Sequence, residues 1–287
     1  MMELKMYKTK KEFCNENLLL LENEEALNNI MIGVILSAEE NDIQDWVLAR
    51  IEDEGLVQMI IIINKPKNGL LMYSPTNNSS DEICKYIACK IKDLEIDLLE
   101  INSRKELCEK VAKYYIEITD KKIKCKKDKY ILELTKLNED LELQDLEMTQ
   151  VDCDFDEMSK ICDNIVEFQE DAHKEIITHE EAKSHADIHI KKGLYLFKNS
   201  ENEIVMQAIT SRKLSNGYVI GAVITPKIHR GKGYAKSGMY ILSKKLLDDG
   251  AKVLALYTNA KNPVSNHVYE KIGYKRISEE LLIEFEN

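Results

Sequence analysis

Long apolar runs are missing from this chain. Stretches such as Leu18–Leu21 and Met59–Ile63 fall far short of the roughly 20 residues that cross a bilayer, so no membrane span is expected. The opening residues, MMELKMYKTKKEF, are polar and basic and lack an apolar region followed by small residues, so they do not read as a secretion signal. The protein is expected to stay in the cytosol. Positive charge is also in short supply: 40 Lys and Arg face 51 Asp and Glu, a net charge of −11. A long-range field of that sign disfavours non-specific attraction to nucleic acid or to an anionic membrane, and any polyanionic ligand needs a local basic site. Paired cysteines are absent too. The seven Cys (14, 84, 89, 108, 125, 153 and 162) are odd in number and contain no CxxC, which fits neither a disulfide framework nor a zinc ribbon. They read as reduced thiols, and none has a base at a recognisable spacing that would mark a nucleophile.

What is present is an α/β pattern long enough for two domains: 287 residues, 44% of them hydrophobic. Leu18 to Leu36 has helical spacing, and Val57–Asn64 and Gly69–Tyr73 read as strands, the second closed by Ser74-Pro75. Ile83–Ile91 reads as a helix, Ile96–Ile101 as a strand, and Ser103–Tyr115 as a helix opened by a Ser cap. A Lys-rich stretch, 121 to 129, leads to a strand at Tyr130–Thr135. The acidic segment NEDLELQDLE has no clear period and places a domain boundary near 140, giving domains 1–138 and 139–287. Asp156–Lys192 is helical in pattern, with Ile161, Ile165, Phe168 and Ala172 recurring at three and four residues. Leu194–Lys198, Ile204–Arg212, Tyr218–Thr225, Val253–Tyr257 and Leu281–Phe285 read as strands. Ala235–Asp248 and Val264–Ile272 read as helices, with Gly250 and Gly273 just past their ends. The two halves share this order, down to a strand closed by Ser-Pro or Thr-Pro and a later strand ending in Asn102 or Asn259. That order leaves duplication and two unrelated α/β units both open.

One loop concentrates chemistry. Pro226-Lys-Ile-His-Arg-Gly-Lys-Gly-Tyr-Ala-Lys236 brings together Lys227, Arg230, Lys232 and Lys236 with no acid nearby. Gly231 and Gly233 let the backbone turn its N–H groups inward and let an anion approach, and the helix that follows adds its dipole. A pyrophosphate fits such a cradle. The spacing is not that of a Walker A loop, and the dinucleotide fingerprint would need Gly where Lys236 stands, so ATP and NAD lose ground.

A second segment follows the next strand: Asn259-Ala-Lys-Asn262-Pro-Val-Ser265-Asn-His-Val-Tyr269-Glu-Lys-Ile-Gly273-Tyr274. At about 100° per residue Asn262, Ser265, Asn266 and Tyr269 share one side of the helix, apart from an apolar stripe of Val264, Val268 and Ile272. Arg230, Gly233 and Ala235 match the R/Q-x-x-G-x-G/A loop of the GNAT superfamily of acyl-CoA-dependent N-acyltransferases. Asn262, Ser265, Tyr269, Gly273 and Tyr274 match its later N-x-x-(small)-x-x-x-Y-x-x-x-G-(aromatic) signature. The C-terminal half thus resembles that superfamily. The wider arrangement, with LLLLENEEALNNIMIGVIL near the start, looks like bacterial two-part members whose N-terminal region is GNAT-like.

The resemblance implies two GNAT-like α/β (α+β) units, each a mixed, mainly antiparallel sheet flanked by helices, with the second unit's strands parting beside acetyl-CoA as co-substrate. It implies that Arg230, Gly231, Lys232, Gly233, Tyr234, Ala235 and Lys236 hold the pyrophosphate through their backbone amides. Val223, Ile224 and Thr225 would pair with the pantetheine as a strand would, Gly221 marking a bulge or a close approach. Asn262 and Ser265 would bond the cofactor arm, and Tyr269 would protonate the departing thiolate. A phenol, protonated at neutral pH, suits that role.

The partners expected are an acyl-CoA and an unidentified amine acceptor, with no nucleic acid and no membrane. Acetyl would pass to the primary amine of a small molecule or peptide by direct attack. An attacking amine also needs a base, and GYVIGAVIT, the strand before the loop, carries no carboxylate; Glu170, Glu175 and His179 are the candidates upstream. His185 and His189 lie four apart but lack the intervening Glu of HExxH and a third ligand, so no metal is expected. TNNSSDE, the corresponding loop of the N-terminal half, has no Gly, Lys or Arg, so that half is expected to shape the acceptor side without holding CoA. A non-catalytic acyl-CoA-binding regulator stays open as the alternative, and a nucleotide-binding oxidoreductase ranks behind both.

Overall fold

The computed structural model describes residues 2–65, 68–151 and 157–286. In chain order the elements are β1 (Glu3–Tyr7), α1 (Lys10–Glu22), α2 (Asn29–Ser37), β2 (Val47–Asp53), β3 (Leu56–Asn64), β4 (Gly69–Tyr73), α3 (Asp81–Asp93), β5 (Glu100–Arg104), α4 (Lys105–Ile118) and β6 (Ile123–Leu134). There follow β7 (Glu147–Gln150), α5 (Met158–Phe168), α6 (His179–Lys191), β8 (Leu194–Lys198), β9 (Ile204–Lys213), β10 (Gly217–Ile224), α7 (Tyr234–Asp248), β11 (Val253–Asn259), α8 (Pro263–Ile272) and β12 (Lys275–Phe285). From β1 to α4 and from β7 to α8 the succession is the same: strand, two helices, three strands, helix, strand, helix.

The chain divides into two compact units. The first comprises Met1–Ile131, Asn259–Lys261 and Ile277–Asn287, the second Leu132–Thr258 and Asn262–Arg276. The division falls at 131/132, where the sequence placed it at 138/139, and the last strand belongs to the first unit from Ile277 onward.

In the first unit the strands run in the order β1-β2-β3-β4-β5-β12-β6. β1 to β4 are antiparallel neighbours, β4 and β5 are parallel, and β12 runs antiparallel to β5, with Ile283 opposite Ile101. The apolar run in β3 is continuous because both faces of the sheet are covered. Met59, Ile61 and Ile63 point to the side of α3 and α4, where they pack with Ile87, Val111 and Tyr115. Ile60 and Ile62 point to the side of α1 and α2, among Phe13, Leu21 and Ile35. β12 is integral to the first of these cores: Leu281, Ile283 and Phe285 are buried in it, and the Phe285 ring lies 5.6 Å from that of Tyr115.

In the second unit the order is β11-β10-β9-β8-β7, antiparallel except for the β10/β11 pair. Here too the parallel strands are joined by a helix, α7, as the crossover requires. Ile161 and Ile165 of α5 and Ala182 and Ala186 of α6 are buried with Leu194, Leu196, Ile209 and Ile224 of the sheet. The two units share one α/β plan, a mixed and mainly antiparallel sheet flanked by helices.

Several local expectations are corrected. Ser103 does not cap α4; it lies in β5 with its hydroxyl donating to the Met72 carbonyl at 2.9 Å, because pairing with β4 recruits residues 100–104 as strand. The Lys-rich stretch is itself strand: β6 runs from Ile123 to Leu134, exposed or half-covered through its lysines and buried at Ile131, Leu132 and Leu134. The helical region after residue 157 is two helices separated by a π turn at Gln169–His173, closed by Lys174 at φ 61°. Its expected start at Asp156 and Cys153 lie outside the described residues. β1, β2 and β7 had no counterpart in the pattern. Among the described residues no helix is long and apolar enough to cross a membrane.

One buried acid in the first unit yields a prediction. Glu280 is 7% exposed, opposite Arg104 in the β12/β5 ladder, and takes a 2.5 Å hydrogen bond from the Ser278 hydroxyl. Burial pushes its carboxyl up from 4.5 to about 7, against the pull of Ser278, Arg104 and Lys129. Below pH 4.5 the group is protonated folded or unfolded; as pH rises toward 7 the unfolded chain ionises first, and the folded state loses stability. Glu280→Gln, which mimics the protonated acid, is expected to match the parent near pH 4 and to exceed it above pH 7 by up to about 3 kcal/mol. Paired denaturation curves across that range check it; a pH-independent difference would mean the carboxyl does not titrate there.

Candidate functional site

The second unit's site is built where one strand pair ends. β10 and β11 stay in register from Gly217 opposite Val253 to Ile220 opposite Leu256, and both strands run on past that point without being paired to each other. On its other side β10 slips against β9 between Gly221 and Ile224, a bulge. Ala222, not Gly221, carries the positive φ, 43°. Gly221 marks a close approach, since a Cβ there would stand 3.2 Å from the Ser211 Cβ. The bulged end holds the three strand residues expected to face a pantetheine. Ile224 sends its side chain into the core, while Val223 and Thr225 are half-buried and the Thr225 hydroxyl has no partner among the described residues.

The chain then turns through Pro226 and a short 3-10 turn, Lys227–His229, into the glycine loop. Gly231 and Gly233 adopt φ of 76° and 85°. Among the described residues nothing lies within 4 Å of where a Gly231 Cβ would be, and only Gln144, at 3.8 Å, approaches that of Gly233, so the loop is open on this side. Gly233 is the N-cap of α7 and has no side chain with which to satisfy the helix's first N–H groups. The first turn, Tyr234-Ala235-Lys236, carries no acid. Among the described residues neither Lys232 nor Lys236 has an ion-pair partner. Lys232 is exposed and Lys236 half-buried. The helix start therefore combines first-turn N–H groups without a capping side chain, a positive dipole end and two lysines within three residues of the cap. Ser237 fixes it from behind, donating to the Gly233 carbonyl at 3.1 Å and accepting from the Gln144 N–H at 2.8 Å.

Arg230 points elsewhere. Its Nε donates to the Thr225 carbonyl at 2.9 Å, Nη2 to Glu167 at 2.8 Å and Nη1 to Asp171 at 2.7 Å. Glu167 and Asp171 were not singled out in the sequence; their spacing of four on a helix end was the available signal. His229 is buried beside Tyr234, ring centroids 6.0 Å apart, with its Nδ1 unpartnered among the described residues.

α8 is turned about its axis relative to the expected stripe. Val264 is 75% exposed, while Tyr269 is 6% exposed and packs inward with Ile272. Asn262 caps the helix, its Oδ1 accepting from the Ser265 N–H at 3.1 Å. The Tyr269 ring meets that of Tyr274 edge-on at 5.9 Å, and Tyr274 is held by a 2.9 Å hydrogen bond to Ser243. Burial raises the Tyr269 phenol above 10, with a hydrogen bond from Ser265 pulling the other way, so the group holds its proton across the physiological range.

The residues considered as bases face the surface. Glu170 is 3.7 Å from Lys227, His179 is 3.3 Å from Asp163, and Glu175 is exposed. His185 lies 3.2 Å from Gln169, and burial lowers His189 to about 4, leaving it neutral at physiological pH. Among the described residues no three His, Cys, Asp or Glu gather as a metal site.

The corresponding start of α3 in the first unit has the opposite character. Its cap is Ser80, whose hydroxyl accepts from Ile83 N, and Asp81 and Glu82 occupy the first turn. The preceding loop is tied up internally: Asn77 takes Arg104, Ser79 takes Lys110 at 2.8 Å, and Asn78 N donates to Ser74 at 2.7 Å. Two carboxylates at a side-chain-capped N-terminus repel an anion.

Residues 196–283, which span β8 to β12, match the FR47-like protein family. No curated protein sequence matches the chain. Solved structures align with nearly its whole length. An acetyltransferase of the GNAT family from Colwellia psychrerythraea is 11% identical, covering 99% of this chain and 100% of its own at TM-score 0.58. A GCN5-related N-acetyltransferase from Sphaerobacter thermophilus is 11% identical over 98% and 94%, at 0.63. A tandem GNAT protein from the clavulanic acid biosynthesis pathway is 9% identical over 99% and 98%, at 0.55. The chain has the GNAT superfamily fold. Its two units are two GNAT-like units in tandem, and the open glycine loop lies in the second.

Gly233→Ala tests the loop's backbone. A Cβ has room, so the cost is that of a left-handed φ, about 1–2 kcal/mol of stability by chemical denaturation. A loss several times larger would mean that the position is packed.

Proposed function

We propose that the second GNAT-like unit is an acyl-CoA-dependent N-acyltransferase that passes acetyl from acetyl-CoA to a primary amine. The observation that carries this reading is the start of α7: an N-terminus capped by glycine, free of acids, flanked by Lys232 and Lys236, and set beside the parting of β10 and β11. The backbone of Arg230, Gly231, Lys232, Gly233, Tyr234, Ala235 and Lys236 holds the pyrophosphate there. The open space around Gly231 and Gly233 supports that fit, as each added Cβ would point into it. Val223, Ile224 and Thr225 offer the pantetheine a strand edge no longer paired with β11, and Thr225 adds a hydroxyl in need of a partner. Asn262 keeps its amide NH2 for the cofactor arm while its oxygen caps α8, and Ser265 lies beside it.

The amine nitrogen attacks the thioester carbon directly; the new C–N bond forms as the C–S bond breaks. The ammonium of the acceptor first loses one proton to solvent or to a base, which frees the nitrogen to attack; as the C–S bond breaks, Tyr269, still protonated, gives its phenolic proton to the departing sulfur, and it is reprotonated, through solvent, by the second proton that the acylated nitrogen sheds. The thioester supplies the activated acyl group, and the protein supplies position and the proton. The first unit, whose α3 start repels anions, takes no part in holding CoA and serves the acceptor.

Calorimetric titration with acetyl-CoA tests the cofactor claim. The parent is expected to bind and a folded Gly233→Glu variant not to, because a carboxylate enters the cradle. Tyr269→Phe is expected to bind acetyl-CoA as the parent does and to lose about 10²-fold in amine-dependent thiol release. Binding without turnover on a broad amine panel would favour the regulator, a reading that the lack of a carboxylate on β10 keeps in view. No binding by the parent would overturn both.

A further inference from the structure

The loop's most prominent cation is already spoken for. Arg230 has five N–H donors, and its Nε, Nη1 and Nη2 each hold a protein oxygen: the Thr225 carbonyl at the end of β10, Asp171 and Glu167. The same Glu167 oxygen also accepts the backbone N–H of Lys227 at 2.7 Å, and the Lys227 ammonium lies 3.2 Å from Asp171. Glu167 sits in the last turn of α5 and Asp171 in the π turn that follows, so two carboxylates four residues apart grip both ends of the segment from Lys227 to Arg230. Like charges at that spacing repel one another, and the planar guanidinium between them offsets the repulsion. The π turn is itself anchored, as Lys174 donates back to the Asp171 carbonyl at 3.1 Å. Turns of this kind recur at functional sites.

Taking the proposed acyl-CoA reading as its basis, we infer that Glu167 and Asp171 are positioning residues for the anion loop, with Arg230 acting as the bolt between them and not as a phosphate ligand. A phosphate that recruited this guanidinium would have to strip it from two carboxylates. The anion instead meets the N–H groups at the start of α7 with Lys232 and Lys236, whose side chains carry no such commitment. The loop is ordered before the ligand arrives, and that order contributes affinity by lowering the entropy lost on binding.

The two roles of Arg230 differ in sign. If the acids merely compete with phosphate, neutralising them frees Arg230 and tightens binding; if they brace the loop, neutralising them weakens it. The full-length chain is compared with Glu167→Gln, Asp171→Asn, the two combined, Arg230→Lys, and Glu170→Gln as a control for charge alone, since Glu170 reaches the loop only through Lys227 at 3.7 Å. Two readouts are taken: amide hydrogen exchange of residues 224–236 without ligand, and the dissociation constant for acetyl-CoA. The double variant is expected to speed loop exchange and to weaken acetyl-CoA, each by about tenfold or more, with Glu170→Gln within about twofold of the parent. Arg230→Lys keeps the charge but cannot bridge two carboxylates, and is expected to behave like the double variant. Asp171→Glu, which keeps the carboxylate, is expected to restore most of what Asp171→Asn loses.

Tighter binding in the double variant, or loop exchange equal to the parent's, overturns the inference while leaving the acyl-CoA reading intact. Arg230→Lys matching the parent in both readouts overturns it as well, and being a single conservative change it keeps the test decisive should the double variant not fold. If the parent fails to bind acetyl-CoA while exchange responds as described, the acyl-CoA reading falls and the brace stands as a feature of the loop.

Discussion

Everything in the second unit's site depends on two parallel strands that stop pairing. Parallel strands bond evenly along their length, and β10 and β11 do so only as far as Ile220 and Leu256. Beyond that point the backbone has donors and acceptors to give to something else. The bulge at Gly221–Ile224 turns the strand end, and the crossover helix begins at the place the strands leave open. A glycine N-cap, a dipole and two uncommitted lysines would mean little on a surface turn. Here they follow directly on the strand end at which β10 and β11 have parted, so that strand end and helix start are neighbours in the chain.

The first unit shows the same architecture with the chemistry reversed. It has a parallel pair, a crossover helix and a loop before that helix, yet a serine replaces the glycine cap, Asp81 and Glu82 replace the lysines, and Arg104 and Lys110 fold onto the loop itself. The shared plan repeats the strand–loop–helix arrangement in both units, and a handful of residues at the helix start sets its local charge. The identical succession of elements in the two halves also favours duplication over two unrelated units, a choice that residue patterns alone left open.

Much of this was legible in the chain, and the failures have physical reasons. The alternation in α3, the continuous apolar run of β3 and the glycine spacing before α7 are local signals, so they survived. β2, Val47–Asp53, has charged residues in a half-covered strand and reveals itself only through its neighbours β1 and β3. Ser103 has good capping chemistry, but its hydroxyl found the Met72 carbonyl once β5 paired with β4. In α8 the reading by hydropathy put the valines inside. Tyr269 went in instead, because its ring has Tyr274 to pack against and its hydroxyl has Ser265, whereas Val264 sits in the exposed first turn. Glu167 and Asp171 lay in a stretch that read only as helix; their worth came from a loop that lies far along the chain.

β12 has a consequence for how the molecule comes to exist. It follows α8 in the chain but supplies Leu281, Ile283 and Phe285 to the core beneath α3 and α4 and covers the free edge of β5. During synthesis the first unit therefore emerges early and waits, with an uncovered strand edge and an apolar gap, until the residues after Arg276 have left the ribosome. The two repeats are not beads that fold in turn. A gene cut between them would yield an N-terminal fragment lacking part of its own core, and a chain stalled before β12 would present a sticky edge for quality control to recognise.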